Sequence, residues 1–243
     1  MKKRNFNLIL FTIIVIICNF SITHALDLSD SGWSKIQRTF RFETKRKVKE
    51  FPADLPYSAV AYVDAGYGAC SGFMIGPHYA VTAASCIYSK SDGFAKKVLV
   101  VPGSFGQNAK CGPSYANYMY IMDTDLRNEY NIAVLQFDEK LGDCSGWFGY
   151  KQITSGEAYN QAKIIGYDTS QLQYEATGYL QGFYDNGNFI QHKMDTKYES
   201  PGAPILINEK YAVGMDVSFN DSYNLGIRFT DEVVNFLKPY WGK

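Results

Sequence analysis

Histidine is scarce in this chain: 243 residues hold three, His24, His78 and His192. That is too few for a multi-histidine metal site, and no metal or cofactor is expected. Net charge is also missing, since 24 Lys and Arg balance 24 Asp and Glu. There is therefore no overall basic field to hold nucleic acid. Apolar runs long enough to enter a bilayer are absent apart from one N-terminal stretch, which excludes a polytopic membrane protein. No glycine-rich dinucleotide or phosphate loop occurs, nor a repeat of fixed period, nor a low-complexity tract. Aromatics are abundant, with 19 Tyr, 16 Phe and 3 Trp, which excludes a solvated, disordered chain. The length permits one large domain or two small ones with a sizeable core.

The N-terminal stretch reads as a targeting segment. Lys2, Lys3 and Arg4 form a basic start, Asn5 to Phe20 is nearly all apolar, and Thr23 and Ala25 sit at the two small-residue positions of a cleavage site. This pattern predicts a secretory signal over residues 1–25. Its apolar core is shorter than the ~20 residues a spanning helix needs. Removal takes Cys18 with it and leaves Cys70, Cys86, Cys111 and Cys144. Four cysteines in a secreted chain predict two disulfides, with three pairings open.

The remaining chain is polarised in charge. Residues 26–49 carry seven basic side chains against three acidic ones, whereas residues 50–243 carry 14 basic and 21 acidic. The segment 26–50 has few aliphatics and no clear period, so it reads as a basic leader. It is either a solvated linker or a pro-segment cut at Lys45-Arg46-Lys47. The body then spans 51–243.

From Pro56 onward, short alternating or apolar runs are separated by turn residues. Ser58–Val63, Tyr79–Ala83, Ile132–Phe137, Ala162–Gly166, Gln173–Gly182 and Ala212–Ser218 are examples, punctuated by Gly76-Pro77, Pro102-Gly103 and Asn186-Gly187. Many short strands at regular spacing predict an all-β sandwich or barrel. One late helix is predicted. Thr230 is its N-cap, Asp231 and Glu232 occupy the first turn, Val233, Val234, Phe236 and Leu237 share a face, and Pro239 stops it.

Several motifs in order then resemble a known family. Cys70-Ser71-Gly72-Phe73-Met74-Ile75 followed by Thr82-Ala83-Ala84-Ser85-Cys86 resembles the first disulfide loop of trypsin-like serine proteases, in which T-A-A-H-C carries the catalytic histidine. Val101-Pro102-Gly103, Tyr130-Asn131-Ile132-Ala133-Val134, Gly146-Trp147-Phe148-Gly149, Ile165-Gly166-Tyr167 and Asp195-Thr196 through Gly202-Ala203-Pro204 resemble motifs of the glutamyl endopeptidase (V8-like) branch. The resemblance runs from Phe51 to Leu237. It implies two six-stranded antiparallel β-barrels with a cleft between them, and a C-terminal helix. It also implies the disulfide Cys70–Cys86, which leaves Cys111 with Cys144.

The same resemblance identifies the positions where the family keeps its chemistry, and there this chain departs. A serine protease needs a hydroxyl nucleophile, an imidazole base, an orienting carboxylate and backbone N–H donors for the oxyanion. The imidazole position is Ser85, the carboxylate position is Asn131 and the nucleophile position is Pro201, with Ser200 and Glu199 before it in the oxyanion region. Proline brings neither a hydroxyl nor an N–H. Ser200 is the one hydroxyl that a slip of the loop by one residue would bring to the nucleophile position. The residue that reads a glutamate side chain in the glutamyl branch aligns with Asp216. With Thr196 and His192 it is expected to line a substrate pocket, and with Asp195 and Glu199 to make it anionic and favourable to amines. The degenerate triad leads to the expectation that the chain is not an enzyme. It would then be a secreted, extracellular (or vesicular or lysosome-like) homologue, monomeric, holding a peptide or protein in the inter-barrel cleft. The alternatives are an active endopeptidase with an unusual apparatus and an extracellular structural or interaction module. Asn220-Asp221-Ser222 is a glycosylation sequon.

Overall fold

The computed structural model describes residues 44–48, 51–66, 68–196, 201–219 and 223–243. The expected signal, most of the leader, Glu199, Ser200 and the Asn220 sequon lie outside the described residues. Two large β-sheets dominate. The first is built from β2 (Val60–Asp64), β3 (Ala69–Gly76), β4 (Tyr79–Thr82), β7 (Leu99–Pro102), β10 (Ser114–Tyr115), β11 (Tyr118–Ile121) and β12 (Ala133–Gln136). Two small hairpins branch from it, β5 (Tyr88–Ser89) with β6 (Gly93–Phe94) and β8 (Ser104–Phe105) with β9 (Asn108–Ala109). The second sheet holds β1 (Thr44–Lys47), β13 (Gly149–Tyr150), β14 (Gln161–Tyr167), β15 (Gln173–Tyr184), β16 (Phe189–His192), β17 (Pro204–Ile207), β18 (Tyr211–Phe219) and β19 (Asn224–Arg228). Helix α1 (Leu141–Ser145) lies between the sheets in sequence, and α2 (Asp231–Leu237) follows β19.

The second sheet closes. Its strands run β15-β14-β17-β18-β19-β16, and β16 returns to β15, giving a six-stranded antiparallel ring. β1 adds outside this ring on β15, and β13 pairs in parallel with β18. The ring interior is filled by Ala162, Ile164, Ala176, Leu180, Ile190, Ile205 and Val213. The first sheet is instead an open path, β10-β7-β2-β3-β4-β12-β11. The expectation of two closed six-stranded barrels is corrected to one barrel and one half-barrel. The reason is local. β10 and β11 are consecutive, and the two residues between them turn from one edge to the other, as Ala116 N donates to Val98 O and Asn117 N to Gln136 O. One stretch of backbone bridges the gap where a ladder would be.

Alternation along β14 explains how the sheets meet. Ala162 and Ile164 face the ring interior, whereas Ile165 and Tyr167 join the core of the first sheet. The Tyr167 hydroxyl, fully buried, donates to Val60 O and accepts from Gln173 Nε2. Burial holds it well above the ordinary phenol range. Both disulfides form, Cys70–Cys86 and Cys111–Cys144. The predicted C-terminal helix is present, with Thr230 Oγ1 accepting from Val233 N.

The basic run Thr44–Lys47 is a strand, paired residue for residue with Thr177–Tyr174 on β15. The fold thus takes in chain upstream of residue 51. Close by is a half-buried ionic cluster. Lys163 Nζ lies 3.1 Å from Glu175 Oε2 and 2.5 Å from Glu209 Oε1, and Tyr57 donates to Glu175 at 2.6 Å. Burial pulls the Lys163 amine down, but its contacts with Glu209, Glu175 and Tyr57 outweigh this and hold it above its ordinary value.

Two outcomes test this packing. Lys163→Gln removes the cation bonded to the buried Glu175 carboxylate and to Glu209, and should cost about 2 kcal/mol in urea unfolding at pH 7. Because the folded amine is held above its unfolded value of about 10.4, the difference should persist to about that pH and shrink above it. Gly214→Ala should cost about 2 kcal/mol by the same measurement, since its Cβ would stand 2.4 Å from Ile227 O.

Candidate functional site

Where the two sheets meet, Ser71 on β3 is the junction. It is fully buried and uses all three of its polar groups. Its N–H donates to Pro201 O at 2.9 Å, its hydroxyl accepts from Tyr167 N at 2.9 Å, and its carbonyl accepts from Thr82 Oγ1 at 2.7 Å. Gly202, at φ +102°, packs directly on this point, and a Cβ there would lie 2.0 Å from Ser71 O. A glycine is required both by the backbone angle and by the close approach.

This junction gathers the three positions singled out in the sequence. The β4–β12 pairing sets Thr82 opposite Ala133, which brings the turn after β4 beside the residue before β12. Ala84 N donates to Asn131 O at 3.3 Å and Ser85 N to Asn131 Oδ1 at 2.8 Å, while Asn131 Nδ2 donates to Ser85 Oγ at 3.1 Å. Both side-chain functions of Asn131 are thus spent on one exposed serine. Cys86, next in sequence, is fixed to β3 by its disulfide, and its Sγ lies 3.7 Å from Pro201 O. Ser85, Asn131 and Pro201 form one cluster of neutral groups. It offers hydrogen-bond donors and acceptors, and among the described residues no imidazole is bonded to it.

The three pocket residues are brought together differently. Asp216 stands within β18, its N–H donating to Ala203 O at 2.8 Å and its carbonyl accepting from Gly202 N at 2.9 Å. It is buried, and its carboxylate meets His192 Nε2 at 3.0 Å. Thr196 is also buried, and its Oγ1 accepts from Asn224 Nδ2 at 3.1 Å. The open anionic pocket expected from Asp216, Asp195 and Glu199 is corrected in one respect: the Asp216 carboxylate is bonded to an imidazole rather than presented bare. The two positions are 24 residues apart in sequence, and only the β16–β19–β18 order makes them neighbours. His78 lies apart, in the β3–β4 turn, with Nδ1 3.1 Å from Phe137 O. Among the described residues, no group of three or more His, Cys, Asp or Glu side chains is placed to hold a metal ion, and no helix is long and apolar enough to cross a membrane.

Comparison with known proteins places this geometry. A family model described as Trypsin matches residues 46–197, more than half of the chain. The glutamyl endopeptidase of Bacillus licheniformis is 30% identical over 200 residues, covering 75% of this chain and 62% of the relative. An extracellular metalloprotease of Bacillus subtilis is 25% identical over 190 residues, covering 72% and 58%. The chain thus spans about three fifths of the length of these curated relatives. A solved structure of a Glu endopeptidase in complex with MPD superimposes with a TM-score of 0.73 at 24% identity, over 80% of this chain and 95% of that one. The likeness shows the chymotrypsin-like fold.

These findings overturn the expectation that the chain is not an enzyme. The matched family is one of proteases, and the 30% identical relative is an endopeptidase. The expectation rested on Ser85, Asn131 and Pro201 alone. Those three positions are assigned by resemblance, and the loop residues Glu199 and Ser200 beside them lie outside the described residues. Fold, disulfide framework and family match agree, and the chain belongs to the trypsin family of serine proteases, with a V8-type glutamyl endopeptidase as a homologue.

Proposed function

We propose that this chain is a secreted V8-type family member that engages an extended peptide or protein segment in the cleft between barrel and half-barrel, at Ser85, Asn131 and Pro201. The observation that carries the reading is the reciprocal Ser85–Asn131 hydrogen-bond pair, held against the Pro201 backbone by Ser71 and the Cys70–Cys86 bridge. The scaffold of a peptide site is kept rigid at the place where the family uses it, and the exposed Ser85 gives it a polar face. Peptide engagement is the step that binding and hydrolysis share, so it does not depend on which groups do chemistry afterwards. Secretion is supported by the signal-like residues 1–25, by two disulfides and by a relative described as extracellular. The balanced charge favours a protein or peptide partner over nucleic acid. The protein acts as a monomer and without a cofactor.

The test uses the purified secreted protein and positional-scanning peptide pools, with binding read by fluorescence anisotropy and cleavage by mass spectrometry. Saturable binding is expected, weakened at least about ten-fold by Ser85→Trp, which fills the cleft from an exposed position and should leave the melting temperature unchanged. Absence of saturable binding, or indifference to Ser85→Trp, overturns the reading. Turnover abolished by Ser200→Ala would assign the endopeptidase alternative to the same cleft.

A further inference from the structure

The two disulfides sit in different surroundings. Cys70 and Cys86 are 7% and 3% exposed, and Cys86 Sγ lies beside Pro201 O at the junction of the sheets. Cys144, in α1, is exposed, and Cys111, in the loop between β9 and β10, is half-buried. Cys144 Sγ lies 3.7 Å from Lys110 O, and Gly112, next to Cys111, faces open space. A thiolate exchanges with a disulfide only where it can reach a sulfur atom, so an exposed bridge is the labile one and a buried bridge resists.

The exposed bridge joins two elements that grip the same stretch of chain. On one side Lys110, the neighbour of Cys111, donates its amine to Ala53 O. On the other, the carbonyl of Ser145, the neighbour of Cys144, accepts from the buried Ser58 hydroxyl at 2.6 Å. Gly146 then packs on Leu55, where a Cβ would stand 3.2 Å from the Leu55 side chain. Among the described residues no strand pairs with residues 51–56, and Phe51, Ala53, Asp54 and Leu55 are exposed. Little apolar burial holds this stretch, so its place depends on the two gripping elements. Tyr57 is held independently, with its hydroxyl on Glu175 and its carbonyl accepting from Gln173 Nε2. The bridge therefore governs the residues before it.

Those residues carry the chain from β1 into the half-barrel. β1 is an edge strand, bonded on one side through four residue pairs with β15, and Val48 N continues the ladder to Gln173 O. Its basic run Lys45-Arg46-Lys47 has its backbone in that ladder. A protease can cut there only after the strand opens locally.

We infer that Cys111–Cys144 is a thiol-exchange site that locks the entry of the chain into the fold, and that its reactant is a low-molecular-weight thiol of the glutathione class. A first thiolate attacks Cys144 Sγ. The bond to Cys111 breaks, and Cys111 leaves as a thiolate that takes a proton from water. A second thiolate attacks the outer sulfur of the mixed disulfide, which releases the oxidised reagent and the Cys144 thiolate. Two electrons pass from two thiols to the bridge, and the thiols end as one disulfide. With the bridge open, α1 and the β9–β10 loop are no longer tied together. The grip on Phe51–Pro56 loosens, and β1 opens to proteolysis within Lys45–Lys47. The buried Cys70–Cys86 bridge and the Ser71 junction stay closed.

The experiment treats the folded, secreted protein with reduced glutathione at about 5 mM and about pH 8, quenches with iodoacetamide and maps the cysteines by mass spectrometry. Cys111 and Cys144 should be alkylated at least about ten-fold faster than Cys70 and Cys86. Equal rates at all four overturn the inference, as does labelling of Cys70 and Cys86 first. So does no labelling at all under conditions that reduce a urea-unfolded control. On reduction, hydrogen exchange at the Ala53–Leu55 amides should rise at least about ten-fold while that of β17 and β18 stays unchanged. Limited trypsin digestion within Lys45–Lys47 should accelerate by a similar factor. Unchanged exchange or digestion overturns the lock, and so does a secreted chain whose intact mass shows that it begins after Lys47. Cys111→Ser combined with Cys144→Ser should reproduce the reduced protein's exchange and digestion with no thiol present, and a variant that behaves like the oxidised wild type overturns the inference. Should that variant fail to fold, the wild type reduced and alkylated under native conditions decides by the same two measurements.

Discussion

Ser71 makes the contact on which the arrangement depends. Its N–H, hydroxyl and carbonyl tie β3 to the Pro201 turn, to β14 and to β4. All three bonds are buried, where an unpaired polar group costs about 1–3 kcal/mol. The relative position of the sheets is therefore specified by polar satisfaction as well as by apolar packing. Apolar contacts tolerate sliding, whereas three directional bonds on one residue do not. Gly202 adds a steric limit, because its neighbour's carbonyl occupies the space a side chain would need.

The site inherits its precision from that junction. Ser85 and Asn131 come from one sheet and Pro201 from the connection into β17 of the other. The Cys70–Cys86 bridge and the Ser71–Pro201 bond both start on adjacent residues of β3. A shift of β3 by one residue would move the disulfide and the turn together. This coupling holds Ser85, Asn131 and Pro201 in one geometry although they come from different parts of the fold. The chemistry of a site and the framework that positions it are carried by different residues here.

How much of this was legible in the sequence depends on what each segment buries. Strands with apolar alternation or a continuous apolar run, such as Gln161–Tyr167 and Pro204–Ile207, stand out because one or both faces are buried. β19, Asn224–Arg228, does not, since Gly226 leaves its centre without a side chain and polar Asn224 and Arg228 end it. β1 is hidden for the opposite reason: a basic run reads as solvated chain, and only pairing with β15 makes it a strand. The Ser85, Asn131 and Pro201 cluster could be read from motifs, because each sits at a fixed offset from a cysteine or a glycine. The His192–Asp216 contact could not be. It depends on which strands of the ring are neighbours, and neither residue lies in a motif that names the other.

The end of the chain has a consequence for how the molecule is assembled. Gly242 N donates to Ile75 O, Lys243 O accepts from His78 N, and Trp241 Nε1 donates to Phe148 O. The Tyr240 ring stacks on Tyr120 and packs against Tyr79. The half-barrel is thus covered by residues that follow the ring in sequence. Its β3–β4 hairpin and this aromatic patch stay uncovered throughout synthesis of the ring that separates them in sequence. Contacts spanning so much chain are slow to form. Cutting between the halves would separate the ring from its seat on Ser71 and the half-barrel from the strap that covers it.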